Sequence, residues 1–190
     1  DLWPALPGLR LLAVGRLSRY KGFNVLIDAL ADVGDATLLL IGNGECEAEL
    51  RMQARARGLE ERIAFAGGLD DDALASAYAS ADAFVLPSLD RGEAFGLVLL
   101  EAMRAGVAVV ASAIPGSGVS FVVADGETGL LVAPGEPQAL AAAIERTRDV
   151  ALRTRLGQAG RKRWREHFTL EASASRMLSL YQNVWRNHVH

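Results

Sequence analysis

Two patterns of apolar residues alternate along the chain. Short continuous apolar runs lie at 11–14, 37–41, 63–66, 83–86, 107–111 and 130–132. A run of this kind reads as a strand covered on both faces. Between the runs, apolar residues recur every three or four positions, which predicts amphipathic helices. Phe23, Leu26, Ile27, Leu30 and Val33 form the first stripe. Further helices are predicted over 45–57, from Asp70 through Tyr78, and around Glu101 and Met103. Gly58 and Gly106 sit where the second and fourth of these helices stop. Beyond Pro137 the pattern is purely helical. Ala174, Met177, Leu178, Tyr181, Val184 and Trp185 make one stripe on the last helix.

Strand and helix alternate about five times, joined by short Gly-rich loops. This predicts an α/β fold: a Rossmann-like, doubly wound parallel sheet of about six strands, flanked by helices, in the order 3-2-1-4-5-6. One domain is expected over 1–190. It has a lead-in segment at 1–8, a core at 9–136 and C-terminal helices at 137–190.

Composition narrows the classes. With 190 residues, one domain is the natural division. Twenty Lys and Arg against 23 Asp and Glu leave a net charge of −3, which excludes a generic basic nucleic-acid binder. The single cysteine, Cys46, excludes a disulfide scaffold and an all-cysteine zinc site, and reads as a small, partly buried residue. No apolar run reaches the roughly 18 residues of a membrane span, and no signal-peptide pattern opens the chain. The expected compartment is the cytoplasm, with the inner face of the membrane as a variant.

In open α/β sheets the ligand lies at the carboxyl ends of the strands, so the loops there carry the chemistry. The first runs from Gly15 to Gly22. Between residues 2 and 27 there are four basic residues (Arg10, Arg16, Arg19, Lys21) and no acid. A glycine-framed loop with Arg16 and Lys21, running into a helix start, suits a diphosphate. A solvated basic turn is the other reading. It is not a P-loop, because Tyr20 replaces the second glycine and Gly22 stands in place of Ser or Thr. The second loop, Gly42-Asn43-Gly44, has Glu47 where a dinucleotide fingerprint needs its third glycine. Its glycines serve either a tight turn or a close ligand approach.

The fourth loop, 87–97, leads into the helix that carries Glu101. Glu93 and Glu101 are separated by seven residues. With a helix start near Phe95, Glu93 lies at its N-terminus and Glu101 about two turns along. The amides of Phe95, Gly96 and Leu97 then form a second anion cradle. The plainer reading is a dipole-favoured acid and a surface glutamate. The apolar neighbours of Glu101 fit a surface place poorly. Residues 114–120 and 125–129 read as turns. Asp70-Asp71-Asp72 contains the D-x-D of metal-dependent transferases, but at a helix start it reads as a cap, and no metal site is expected. Eight basic residues between Arg146 and Arg165, against Asp149 alone, read as a solvated helical face, with an anionic membrane surface as the sharper alternative. Trp164 and Trp185 are expected to pack the tail. His167, His188 and His190 all lie in it, and none is assigned as a general base.

Taken in order, these loops resemble the C-terminal, donor-binding domain of a GT-B retaining glycosyltransferase of the large family four. The resemblance is carried by Val14-Gly15-Arg16-Leu17 with Lys21-Gly22, by Ile41-Gly42-Asn43-Gly44, and by Ala81-Asp82-Ala83-Phe84-Val85-Leu86-Pro87-Ser88. Glu93 and Glu101 match the family's E-x7-E signature, and Asp125-Gly126-Glu127-Thr128-Gly129-Leu130-Leu131-Val132 closes the set. The resemblance implies a donor site for a nucleoside diphosphate sugar, UDP- or GDP-linked. Gly15, Arg16, Lys21 and Gly42 would border the diphosphate. Glu93 would contact the sugar, and the Phe95, Gly96 and Leu97 amides would face sugar and diphosphate. Glu101 would accept from the ribose, and Phe65-Ala66-Gly67 would border the base. Arg16, Lys21 and Glu93 would carry catalysis, and no cofactor or metal would be needed.

It further implies sugar transfer with retention of configuration, assisted by the leaving phosphate, and a separate N-terminal domain for the acceptor. The last helix resembles the family's terminal helix that reaches back to that domain. Many relatives carry Gly-Gly-x-x-Glu before the last turn, and Phe121 stands where that Glu would fall. The run resembles those of bacterial surface-polysaccharide transferases, which points to a glycan or lipid-linked acceptor. A nucleotide-binding module without transfer activity and a sugar-nucleotide epimerase are the alternatives, the latter disfavoured by the E-x7-E segment.

Overall fold

The computed structural model describes residues 2–188, with side chains through Trp185. Six strands pair in parallel: β1 (Leu9–Val14), β2 (Ala36–Ile41), β3 (Ile63–Gly67), β4 (Ala83–Leu86), β5 (Ala108–Ser112) and β6 (Leu130–Val132). Their order is β3-β2-β1-β4-β5-β6, as the alternating pattern predicts. Strand order reverses between β1 and β4, and in such sheets ligands bind outside the carboxyl ends of the strands at this point.

Strand alternation divides the core. Leu11, Ala13, Leu38, Leu40 and Val85 face α1 (Phe23–Ala31), α2 (Glu47–Ala56) and α6 (Pro137–Arg146). Leu12, Val14, Leu39, Phe84 and Leu86 face α3 (Asp71–Ser80), α4 (Leu97–Ala105) and the short α5 (Val119–Val122). Both faces of β1, β2, β4 and β5 are covered, which is why those strands are almost wholly apolar.

Two local departures have simple causes. Val107 is not in β5, because the left-handed turn of Gly106 directs its amide onto the Ala102 carbonyl and closes α4. The turn read over 114–120 gives way at Val119 to one helical turn, Val119–Val122. The lead-in segment is anchored rather than loose: Trp3 is buried, and its indole Nε1 donates to Ser80 Oγ at 3.0 Å.

The chain ends in α7 (Val150–His167) and α8 (Leu170–His188). α7 crosses the C-terminal end of α4 where neither helix has a side chain. A Cβ on Gly157 would lie 2.1 Å from the Gly106 carbonyl oxygen. Trp164 packs against the α4 side of the sheet, with Arg104 over its ring. Trp185 does not pack as expected. It is 70% exposed, on the same open stripe as Met177, Leu178 and Tyr181. No described helix is long and apolar enough to cross a membrane.

Half of the basic run is tied to the protein. Arg153 pairs with Asp82 at 2.9 Å, and Arg148 with Glu145 at 2.6 Å. Arg155 donates to the Gly126 carbonyl, and Arg163 to those of Phe121 and Val122. Neither a solvated face nor a membrane-facing patch describes these four. They fasten α7, and the turn before it, to the sheet and its loops.

Candidate functional site

The loop after β1 begins at Gly15, and a Cβ there would press on the Lys21 side chain at 3.2 Å. The loop closes through a single helical turn, Arg19–Lys21, and the left-handed Gly22. Gly22 is needed for contact as well as for turning, since a Cβ on it would meet the Pro87 carbonyl at 2.1 Å. The β1 and β4 loops are therefore in backbone contact, and Leu89 N donates to the Tyr20 carbonyl at 2.7 Å.

This contact brings Lys21 onto Glu93. Lys21 Nζ and Glu93 Oε2 are 2.7 Å apart, with both side chains only 9% exposed. The hydroxyl of Ser88, fully buried, donates to the same Oε2 at 3.0 Å. Ser117 on the β5 loop donates through its hydroxyl to the Glu93 carbonyl, and Gly118 N donates to the Ala94 carbonyl at 2.7 Å. The β1 and β5 loops, with Ser88 of its own loop, thus hold the Glu93 segment. The sequence placed Lys21 and Glu93 in separate roles, whereas the structure joins them in one buried ion pair. Ser88 and Ser117 had no assigned role. Their sequence signal was a small polar residue next to each strand-end proline or glycine.

Arg16 is different. It is exposed, and it pairs with Glu45 at 3.3 Å across an open surface (72% and 57% exposed). Such a pair is weak and readily exchanged for another anion. The loop after β4 leads into α4. Its first helical-turn bond runs from Leu99 N to the Gly96 carbonyl, so the amides of Phe95, Gly96 and Leu97 precede the helical ladder. Arg16 and Lys21 lie on the loop after β1, and the loop after β4 leads through Glu93 into the start of α4.

Gly42 resolves the choice left open for the second loop. A Cβ there would lie 1.9 Å from the Gly15 carbonyl oxygen, and one on Gly44 would lie 2.3 Å from that of Leu17. Leu17 N donates to the Asn43 carbonyl, and Cys46 N to that of Leu17, both at 2.9 Å. These glycines let two loops interlock, so loop packing alone accounts for them. Cys46 is buried.

Phe65 and Glu101 are placed otherwise than their neighbours in sequence suggest. Alternation along β3 turns the Phe65 ring to the α2 side, where Arg51 covers it at 4.3 Å. Ala66 faces the α3 and α4 side. Glu101 is exposed despite its apolar neighbours, because α4 buries Leu99, Ala102 and Met103 and turns position 101 outward. Its Oε2 accepts from the Tyr78 hydroxyl at 2.8 Å.

Asp70 is the N-cap of α3 and accepts from Ala73 N at 2.8 Å. No group of three metal-ligating side chains occurs among the described residues. Asp70→Ala should lower stability by about 1 kcal/mol in urea unfolding, as for loss of a cap. An unchanged midpoint would remove the capping role. His167 stacks edge-on against Phe168, at 6.2 Å between ring centroids. His190 and the side chain of His188 lie outside the described residues.

Residues 7–163 match the family described as glycosyl transferases group 1. The chain is 40% identical over 183 residues to the phosphatidyl-myo-inositol mannosyltransferase of Mycobacterium leprae, covering 93% of this chain and 47% of that protein. It superposes on Anabaena HepE in complex with UDP-glucose with a TM-score of 0.81, at 28% identity, over 93% of this chain and 49% of the other. The C-terminal domain of a glycosyl transferase group 1 family protein from Francisella tularensis matches at 28% identity and a TM-score of 0.77, over 87% of this chain and 89% of that one. The chain thus spans less than half of the mannosyltransferase and nearly all of the isolated domain.

Proposed function

On the premise that this chain belongs to the group 1 glycosyl transferases, we propose that it binds a nucleoside diphosphate sugar in the β1/β4 crevice and serves as the donor half of a retaining transferase. The observation that carries this reading is the Lys21–Glu93–Ser88 cluster beside the open start of α4. The cluster is a built polar site at the place where ligands bind in such sheets.

The charges divide unevenly. Glu93 neutralises Lys21, so the net positive field comes from Arg16 and the α4 terminus. Lys21 still has three donor hydrogens, of which Glu93 takes one. The others are available to a phosphate oxygen. As the bond from sugar to phosphate breaks, negative charge grows on the diphosphate, and prearranged donors stabilise it there. Arg16 contributes by exchanging Glu45 for the phosphate. Glu93 fixes the ammonium and faces the sugar. Glu101 accepts from the ribose.

Arg16 and the helix terminus would offset the diphosphate charge, with the spare Lys21 donors as hydrogen-bond partners, and no metal ion is invoked. The acceptor, a glycan or lipid-linked sugar, binds on the part of the protein corresponding to the half of the mannosyltransferase that this chain does not span. The reaction then takes place on the cytoplasmic side, with the membrane face as the acceptor's source. The test is a thermal-shift screen with UDP, GDP and ADP in EDTA. A matched diphosphate at about 100 times its Kd should add roughly 2.7 kcal/mol to stability. Absence of a shift with all three at millimolar concentration would overturn the donor reading. A shift that needs added magnesium or manganese would overturn the metal-free one.

A further inference from the structure

We infer that Tyr78 is a positioning residue that holds the Glu101 carboxylate in place to recognise ribose, so that the preference for a ribonucleotide over its deoxy form is set from α3 as well as from α4. The inference rests on the donor reading above and adds a residue to it.

Tyr78 stands on α3 with its ring buried against Phe84, at 5.6 Å between centroids. Its phenol reaches the groove between α3 and α4, which is lined by Leu74, Tyr78, Glu101 and Arg104. The hydroxyl donates to Glu101 Oε2 at 2.8 Å, while the Val98 carbonyl lies at the limit of bonding, 3.4 Å away. Burial first, then the charge and hydrogen bond of Glu101, raises the phenol's pKa well above its usual value. The hydroxyl therefore remains a donor at every working pH. A ring packed into the core cannot change rotamer without opening a cavity.

Glu101 has the opposite character. It is exposed, with several side-chain torsions to lose on binding. A carboxylate has about four lone-pair positions, and Tyr78 occupies one of them on Oε2. That contact restrains Oε2 and leaves Oε1 for a sugar hydroxyl. An exposed glutamate without such a partner would have to be ordered by the ligand itself, with a loss of affinity. The plainer alternative is that Glu101 merely satisfies a buried phenol. The two differ in what the hydroxyl does to ribose recognition.

The experiment is calorimetric titration of the wild-type chain, Tyr78→Phe, Glu101→Gln and the double variant. The ligands are UDP and its 2′-deoxy and 3′-deoxy forms, and the corresponding GDP series. Phe keeps the ring packing, and a matched melting curve checks the fold. The wild type should prefer the ribonucleotide. Tyr78→Phe should weaken it about five- to tenfold and leave the deoxy form that lacks the recognised hydroxyl nearly unchanged. Glu101→Gln should abolish most of the preference, and adding Tyr78→Phe to it should change nothing more. If Tyr78→Phe keeps the wild-type ratio while Glu101→Gln loses it, the inference falls and the donor reading stands. If Tyr78→Phe weakens all forms equally, the hydroxyl is structural only. If neither UDP nor GDP binds the wild type, the donor reading falls and takes the inference with it.

Discussion

Lys21→Met should lower the stability of the chain by about 3–5 kcal/mol, because it leaves the buried Glu93 carboxylate facing an apolar side chain. Lys21→Met combined with Glu93→Leu should recover most of that loss. Both charges are then gone, and apolar groups of similar volume replace them. About 1 kcal/mol should stay lost, since the Ser88 hydroxyl no longer has Glu93 as its acceptor. Urea unfolding of the three proteins measures this directly. The folded double variant should nonetheless lose affinity for nucleoside diphosphate by at least about tenfold, the loss expected from one charge-assisted hydrogen bond. Stability and binding would then part company at one pair of residues. A single-variant loss under about 1 kcal/mol would mean that the pair behaves like a surface salt bridge.

Gly42→Ala is the second large effect. The new Cβ would lie 1.9 Å from the Gly15 carbonyl, on a backbone with φ of +134°. Neither atom is the end of a flexible side chain, so one loop must move away from the other. The expected loss is about 3 kcal/mol or more, the sum of backbone strain and a displaced loop. Gly126→Ala is the control. It has φ of +71° and nothing within 4 Å of the added methyl group, so only the left-handed penalty of about 1–2 kcal/mol applies. Equal losses for the two would show that Gly42 answers to conformation and not to contact.

Gly42 also marks the boundary of what the residues alone could say. The strands and their order were legible, because apolar runs of three to five residues between amphipathic helices admit few other folds. Gly15, Lys21, Glu93 and the start of α4 were legible as a group, because all lie on loops at one end of the sheet. Their mutual contacts were not. The Lys21–Glu93 pair joins residues 72 apart in sequence, and it depends on Gly22 fitting against the Pro87 carbonyl. No local pattern encodes that fit. The exposure of Glu101 follows from which face α4 buries, and with apolar residues on nearly every side of it the sequence does not say which that is. The orientation of Phe65 was within reach, since strand alternation sets it against Ala64 and Ala66 once the strand is located. The arginines of α7 read as a solvated run because their acceptors are mostly backbone carbonyls, which carry no sequence label.

The crossing of Gly157 over Gly106 has a mechanical consequence. α4 is nine residues long, about 13 Å, and stiff along its axis. Its leading end presents the amides to the crevice, and its trailing end abuts the backbone of α7 with no side chain between them. A backbone-on-backbone seat does not compress, so α7 acts as the backstop of a short strut. The axial position of the Phe95, Gly96 and Leu97 amides is then gauged from the far end of the helix, at Gly157.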